Sequence, residues 1–124
     1  KVEAAFKQLR EKDFVFLHIE ASDEAGHDGD LQLKLQTIEN LDHRAVEPIY
    51  EIKKWDEPVC IAVLPDHPTP VEIRTHVKEP VPFLIWHPGI TPDNVTQYDE
   101  TSCIRGEYGL IYLQEFMHSL MEIK

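Results

Sequence analysis

The sequence predicts an α/β fold in which helices pack on a largely parallel β-sheet. Three short apolar runs, at residues 14–19, 59–64 and 81–86, have the composition of strands and alternate with segments of helical periodicity. Apolar runs without polar alternation are typical of strands buried on both faces, as in parallel sheets. Strands that alternate with helices indicate the α/β class. Residues 1–124 are therefore predicted to form one layered unit.

Helical periodicity assigns two of the segments around these strands. Apolar residues spaced by three and four predict helices over residues 2–12 and 31–53. Asp30 stands where an N-cap is expected, and Pro48 is expected to kink the longer helix.

The remaining segments are assigned from their composition. The acidic stretch at residues 20–30 is expected to be a loop at the carboxyl end of the first strand, because no core could absorb its charge. Residues 87–105 are expected to form a surface loop, and a last amphipathic helix is expected after Gly106.

The charge balance limits the partners of the chain. Twelve Lys and Arg against 23 Asp and Glu give a net charge of −11, which argues against nucleic acid or an anionic membrane as the partner. A negatively charged small substrate remains compatible, because bound divalent cations can invert the local field. There is no apolar run of about 18 residues and no signal-peptide pattern. Two cysteines do not make a disulfide scaffold, so a reducing cytoplasm is the expected location.

Acidic residues and histidines collect next to the predicted strands. Asp23 and His27 follow the first strand, Asp66 and His67 follow the second, and His76 precedes the third. Functional residues in open α/β sheets gather on the loops outside the carboxyl ends of the strands. Carboxylates and neutral imidazoles form a mixed ligand set that suits Mn²⁺, Mg²⁺ or catalytic Zn²⁺.

The spacing of these residues indicates how they would converge. Asp23 and His27 have i, i+4 spacing, which on a helix directs both side chains to one ion. Asp66 and His67 are neighbours and would diverge unless the proline-rich loop around them turns sharply. Two nearby ions would then clamp the attacking and leaving oxygens of a phosphoryl transfer.

Ordinary structural explanations compete with this hypothesis. The stretch from Asp23 to His27 alone could equally be a solvated acidic loop, and an Asp-His pair is more often an N-cap beside a surface histidine. Arg74 could bind a phosphate or carboxylate through both guanidinium arms, although a plain surface role is commoner for Arg. The joint position of the ligands at strand ends favours the metal site.

Three motifs in a fixed order carry a family resemblance. DExGHxGD at residues 23–30, DHxTP at residues 66–70 and HxxxPVPF at residues 76–83, with the closing helix after Gly106, resemble the archaeal type of cofactor-independent phosphoglycerate mutase. This family belongs to the alkaline phosphatase superfamily, and the resemblance covers nearly the whole chain. The archaeal form usually reads DHSTP, whereas this chain has Pro68.

The resemblance implies an alkaline phosphatase-like α/β fold and two divalent metal ions. Asp23, His27 and His76 are implied as ligands of one ion, and Asp66 and His67 as ligands of the second. Mn²⁺ is the first expectation, with Mg²⁺, Zn²⁺ or Co²⁺ as alternatives, and 2,3-bisphosphoglycerate is not needed.

The implied reaction interconverts 3-phosphoglycerate and 2-phosphoglycerate, in glycolysis or gluconeogenesis, through a metal-activated phosphoserine. The family supplies this serine from a region with no counterpart here. The chain is thus expected to be the C-terminal part of the catalytic domain, inactive alone and able to self-associate through its uncovered surface.

Two other functions remain open at the level of sequence. The same site could serve another metal-dependent phosphatase or phosphotransferase of the superfamily acting on a small phosphorylated substrate. The chain could also be a non-catalytic metal-binding module.

Overall fold

Six α-helices and one pair of β-strands form within residues 1–122, the part of the chain that the computed structural model describes. The chain divides into two compact units. Unit 1 comprises Lys1–Ile52 and Thr69–His76, and unit 2 comprises Lys53–Pro68 and Val77–Lys124. None of the helices in the described range is long and apolar enough to cross a membrane.

Unit 1 contains the predicted long helical segment. Helix α1 spans Val2–Leu9, α2 spans Ala21–Asp28 and α3 spans Leu31–Leu41. The helical path continues through a π-helical turn at Asp42–Val46, α4 at Glu47–Tyr50 and a 3₁₀ turn at Glu51–Lys54. The helix predicted over residues 31–53 is therefore present, but it is irregular.

The irregularity lies directly before Pro48. The N–H of Glu47 bonds the carbonyl of Asp42, five residues back. The ring of a proline clashes with the carbonyl four residues earlier and offers no N–H to it. A wider π turn shifts those carbonyls and lets the helix continue past the proline.

The loop predicted at residues 20–30 is wrong for most of its length, because Ala21–Asp28 form helix α2. Helix α2 packs against α3. Its buried residues are Ala25 and Gly26, so it has no large apolar stripe to mark it as amphipathic. Gly29 ends the helix with a φ of 71°, a left-handed conformation that favours glycine.

The predicted strand at residues 14–19 is also wrong: this segment is irregular in the described part of the chain. Phe14 and Phe16 are 51% and 75% exposed, so the segment is not buried on both faces here. The other two predicted strands are present but shorter, as β1 at Ile61–Val63 and β2 at Leu84–Trp86.

The strands of unit 2 pair antiparallel, with Ile61 opposite Trp86 and Val63 opposite Leu84. The expected parallel pairing is therefore not found among the described residues. A parallel pair needs a crossover that carries the chain back to the same end of the sheet, usually a helix. The connection from β1 to β2 contains no helix.

Aromatic contacts hold unit 2 together. The ring of Phe83 packs edge-on against buried Phe116 of helix α6, which spans Leu113–Met121. The hydroxyl of Tyr98 lies within hydrogen-bond distance of two carbonyl oxygens, those of Val63 and Pro82. Burial raises the pKa of this phenol above its usual range.

Helix α5, at Glu100–Cys103, lies within the predicted loop at residues 87–105.

The predicted N-cap of α3 is confirmed, because the Asp30 carboxylate accepts the N–H of Leu33 at 2.9 Å. We expect Asp30→Ala to lower the free energy of unfolding by about 1 kcal/mol, since it leaves a helix-terminal N–H unsatisfied. Urea unfolding followed by circular dichroism measures the change. Gln36→Ala, at an exposed position of the same helix, is the control. Equal stability of the two variants would contradict the capping role.

Candidate metal centre

Three predicted ligands converge within unit 1. The Nε2 atoms of His27 and His76 are 3.1 Å apart. Nε2 of His27 lies 3.4 Å from Oδ2 of Asp23, and Nε2 of His76 lies 3.5 Å from Oδ1 of the same carboxylate. Each of the three side chains therefore points a ligand atom at the other two.

Helix α2 and the segment at residues 69–76 supply these side chains. The i, i+4 spacing of Asp23 and His27 directs both to one face of α2. Gly26 lies between them, and a Cβ atom built on it would be 2.4 Å from the carbonyl oxygen of Thr69. The absence of a side chain at Gly26 thus lets the helix approach the segment that ends at His76.

A hydrogen bond to the backbone selects the tautomer of the neutral His27 ring. Its Nδ1 atom lies 3.0 Å from the carbonyl oxygen of Arg74. A carbonyl only accepts hydrogen bonds, so Nδ1 carries the proton of the neutral ring. The lone pair is then on Nε2, the atom that faces Asp23 and His76. A backbone carbonyl often orients a metal-binding imidazole in this way.

The separations between the ligand atoms suit a small divalent cation. Bonds of about 2.1 Å place ligand atoms about 3.0 Å apart at octahedral angles and about 3.4 Å apart at tetrahedral angles. The observed separations of 3.1, 3.4 and 3.5 Å fall at or close to these values. One carboxylate and two imidazoles are also a donor set that first-row divalent ions accept.

The three side chains of the cluster are partly accessible to solvent. The side chains of Asp23, His27 and His76 are 34%, 40% and 50% exposed. Three protein ligands, rather than four, are the number that catalytic metal sites use, because such sites keep a position for water or substrate.

Asp66 and His67, the predicted ligands of a second ion, lie in unit 2. Nε2 of His67 is 3.3 Å from Oδ2 of Asp66, and the His67 N–H donates to Oδ1 of the same carboxylate at 3.1 Å. The loop turns sharply enough for these neighbouring side chains to face each other. Their role as metal ligands stays a prediction.

Arg74 has two structural roles within unit 1. Its backbone has a φ of 59°, in the left-handed region that non-glycine residues seldom adopt. This conformation accompanies the contact between its carbonyl and His27. Its guanidinium lies against Gly29, where an added Cβ atom would be 2.3 Å from Nε of Arg74. Its predicted binding of substrate stays a prediction.

Two residues of the site were not identified from the sequence. The hydroxyl of Thr69 donates to Oδ1 of Asp23 at 2.5 Å. Nζ of Lys34 bonds the carbonyl of Thr69. Thr69 stands in the DHxTP motif, which was a signal, but Lys34 lies on a helix with no feature that pointed to the site.

One carboxylate and two imidazoles that face one another form a candidate metal-binding site of an α/β domain. A family model described as the Metalloenzyme superfamily matches residues 1–123. The chain belongs to this superfamily, and divalent metal binding is the property that membership carries.

Related proteins cover most or nearly all of the chain. A protein of Methanosarcina mazei is 44% identical over 98% of the chain, and one of Methanothrix thermoacetophila is 48% identical over 90% of it. Both are named 2,3-bisphosphoglycerate-independent phosphoglycerate mutase. The chain spans 31% and 29% of these proteins, or about a third of their length. That the chain is the C-terminal part of the catalytic domain stays a prediction.

A solved structure shares the fold. The PH0037 protein from Pyrococcus horikoshii superposes on 98% of this chain with a TM-score of 0.89 and 35% sequence identity. The chain covers 36% of that protein. Together with the family match, this confirms the alkaline phosphatase-like α/β class as a partial domain.

The contact at Gly26 generates a stability prediction. Gly→Ala inside a helix ordinarily stabilises by about 0.5–1 kcal/mol. Here we expect Gly26→Ala to destabilise, because the new methyl group would lie 2.4 Å from the carbonyl oxygen of Thr69 and the segment would have to move. Thermal unfolding measures the change. Glu24→Ala, at an exposed position of the same helix, is the control, and a Gly26→Ala variant as stable as wild type would refute the contact.

Proposed function

We propose that Asp23, His27 and His76 bind one divalent metal ion of a phosphoglycerate mutase active site. The observation that carries the proposal is the convergence of one carboxylate oxygen pair and two imidazole nitrogens within 3.5 Å. Because the three side chains already face one another, little ordering is needed before an ion binds. The names of the relatives support the reaction.

Mn²⁺ is our first choice for the ion. A mixed set of oxygen and nitrogen ligands without a thiolate suits Mn²⁺ and also fits Mg²⁺, Zn²⁺ and Co²⁺. We propose that Asp66 and His67 contribute to a second ion. Their carboxylate and imidazole are of the same chemical types, and their side chains already face each other.

The proposed reaction moves a phosphoryl group between the 3- and 2-hydroxyls of glycerate. The group passes to a serine outside this chain, the glycerate reorients, and the group returns to the other hydroxyl, so that substrate and product are isomers. Bound divalent ions would lower the pKa of the accepting hydroxyl and neutralise charge on the phosphoryl oxygens.

The residues of this chain would hold and orient the charge in that reaction. Asp23 would contribute negative charge that offsets part of the positive charge of the ion. His27 and His76 would contribute uncharged nitrogen ligands. The carbonyl of Arg74 keeps the Nε2 lone pair of His27 directed at the cluster. With a net charge of −11, the chain depends on bound cations to attract a phosphorylated substrate. We further propose a cytoplasmic location, because the proposed reaction belongs to glycolysis and gluconeogenesis.

The substrate is tested on the full-length protein that contains this chain. We expect it to convert 3-phosphoglycerate into 2-phosphoglycerate in the presence of Mn²⁺. A coupled enolase assay measures the product. Rapid hydrolysis of p-nitrophenyl phosphate without mutase activity would instead support a phosphatase of the same superfamily. The absence of both activities, with the metal bound, would support a non-catalytic module.

The ligand assignment is tested by Asp23→Asn. This change keeps the shape of the side chain but removes its charge, so we expect Mn²⁺ affinity in calorimetry to fall by at least about 10-fold. Asp28→Asn removes the same charge from an exposed position of the same helix and is the matched control. An equal effect of both changes would mean that only net charge matters, and the assignment would be rejected.

A further inference from the structure

We propose that Thr69 is a positioning residue that sets the orientation of the Asp23 carboxylate for metal binding. This inference rests on the proposed metal site of Asp23, His27 and His76. It adds a residue that does not itself bind the ion, and it assigns the effect to one hydroxyl group.

The contact between the two side chains is partly buried. Oγ1 of Thr69 donates to Oδ1 of Asp23 at 2.5 Å. Thr69 is only 4% exposed, whereas the side chain of Asp23 is 34% exposed. A hydrogen bond donated to an ionised carboxylate is about twice as strong as one between neutral groups. The hydroxyl therefore fixes the rotation of the exposed carboxylate from its buried side.

The carboxylate rotation matters because its two oxygens face different histidines. Oδ1 faces Nε2 of His76 and Oδ2 faces Nε2 of His27, at 3.5 and 3.4 Å. Rotation about the Cβ–Cγ bond would remove both oxygens from these positions. A hydrogen bond that holds Oδ1 in place therefore keeps Oδ1 directed at His76 and Oδ2 directed at His27.

The position of Thr69 is itself fixed by two contacts. Nζ of Lys34, on helix α3, bonds the Thr69 carbonyl. Gly26 lies against the same residue, and a Cβ atom built there would be 2.4 Å from its carbonyl oxygen and 3.0 Å from its Cγ2. The hydroxyl is therefore attached to a part of the backbone that α2 and α3 both contact.

The test compares Thr69→Val with Thr69→Ser. Valine keeps the shape of threonine without the hydroxyl, and serine keeps the hydroxyl without the methyl group. Loss of a group that orients a metal ligand typically costs 10–100-fold in metal affinity. We expect Mn²⁺ affinity, measured by calorimetry on the full-length protein that contains this chain, to fall by at least about 10-fold in Thr69→Val and to stay close to wild type in Thr69→Ser.

Controls separate orientation from general damage. Thr91→Val makes the same chemical change at an exposed position of unit 2 and is expected to bind as wild type does. Circular dichroism of the metal-free variants checks that each is folded. Equal weakening in Thr69→Val and Thr69→Ser would mean that binding is disturbed whether or not the hydroxyl is kept, and this would overturn the proposal.

The outcomes also distinguish this proposal from the metal site on which it rests. If Asp23→Asn weakens binding but Thr69→Val does not, the site stands and the positioning role is rejected. If the wild-type full-length protein does not bind Mn²⁺, both proposals are rejected. Weakening in Asp23→Asn and Thr69→Val, with retention in Thr69→Ser, supports both.

Discussion

The approach of helix α2 to residues 69–76 is the constraint on which the candidate site depends. Two ligands come from the helix and the third from the end of that segment, so the ligand atoms meet only where the backbones meet. Gly26 permits this approach because a larger residue would collide with the Thr69 carbonyl. The hydrogen bonds of Thr69 and of the Arg74 carbonyl then connect the same two segments beside the ligands. Packing and ligand geometry are therefore consequences of one contact.

The candidate ligands could be identified from the sequence because their chemistry is visible in it. Asp23 and His27 have helical spacing, and they converge although the segment was expected to be a loop. The supporting contacts were less visible. Thr69 bonds Asp23 through its hydroxyl, and Arg74 bonds His27 through its backbone carbonyl. Thr69 stands in the DHxTP motif, but neither contact could be assigned from the sequence. Such partners become apparent only once residues far apart in the chain are brought together.

The fold was predictable where burial leaves a periodic pattern. Residues 31–53 carry apolar side chains at helical spacing, and Asp30 caps the first turn as expected. Helix α2 was missed because it buries Ala25 and Gly26 rather than large side chains. The run at residues 14–19 has strand composition, but Phe14 and Phe16 are exposed in this chain. Composition indicates that a segment can form a strand, but the strand forms only where another strand is beside it to pair with.

The order of the ligands along the chain has a consequence for folding. His27 and His76 are 49 residues apart in sequence, and the segment between them includes Lys53–Pro68 of unit 2. An ion bound by both histidines would act as a cross-link that closes this loop. For a covalent link of that span, the loss of entropy in the unfolded chain is worth roughly 4 kcal/mol. Metal loading would thus tie the two segments of unit 1 together and make chelation a destabilising treatment.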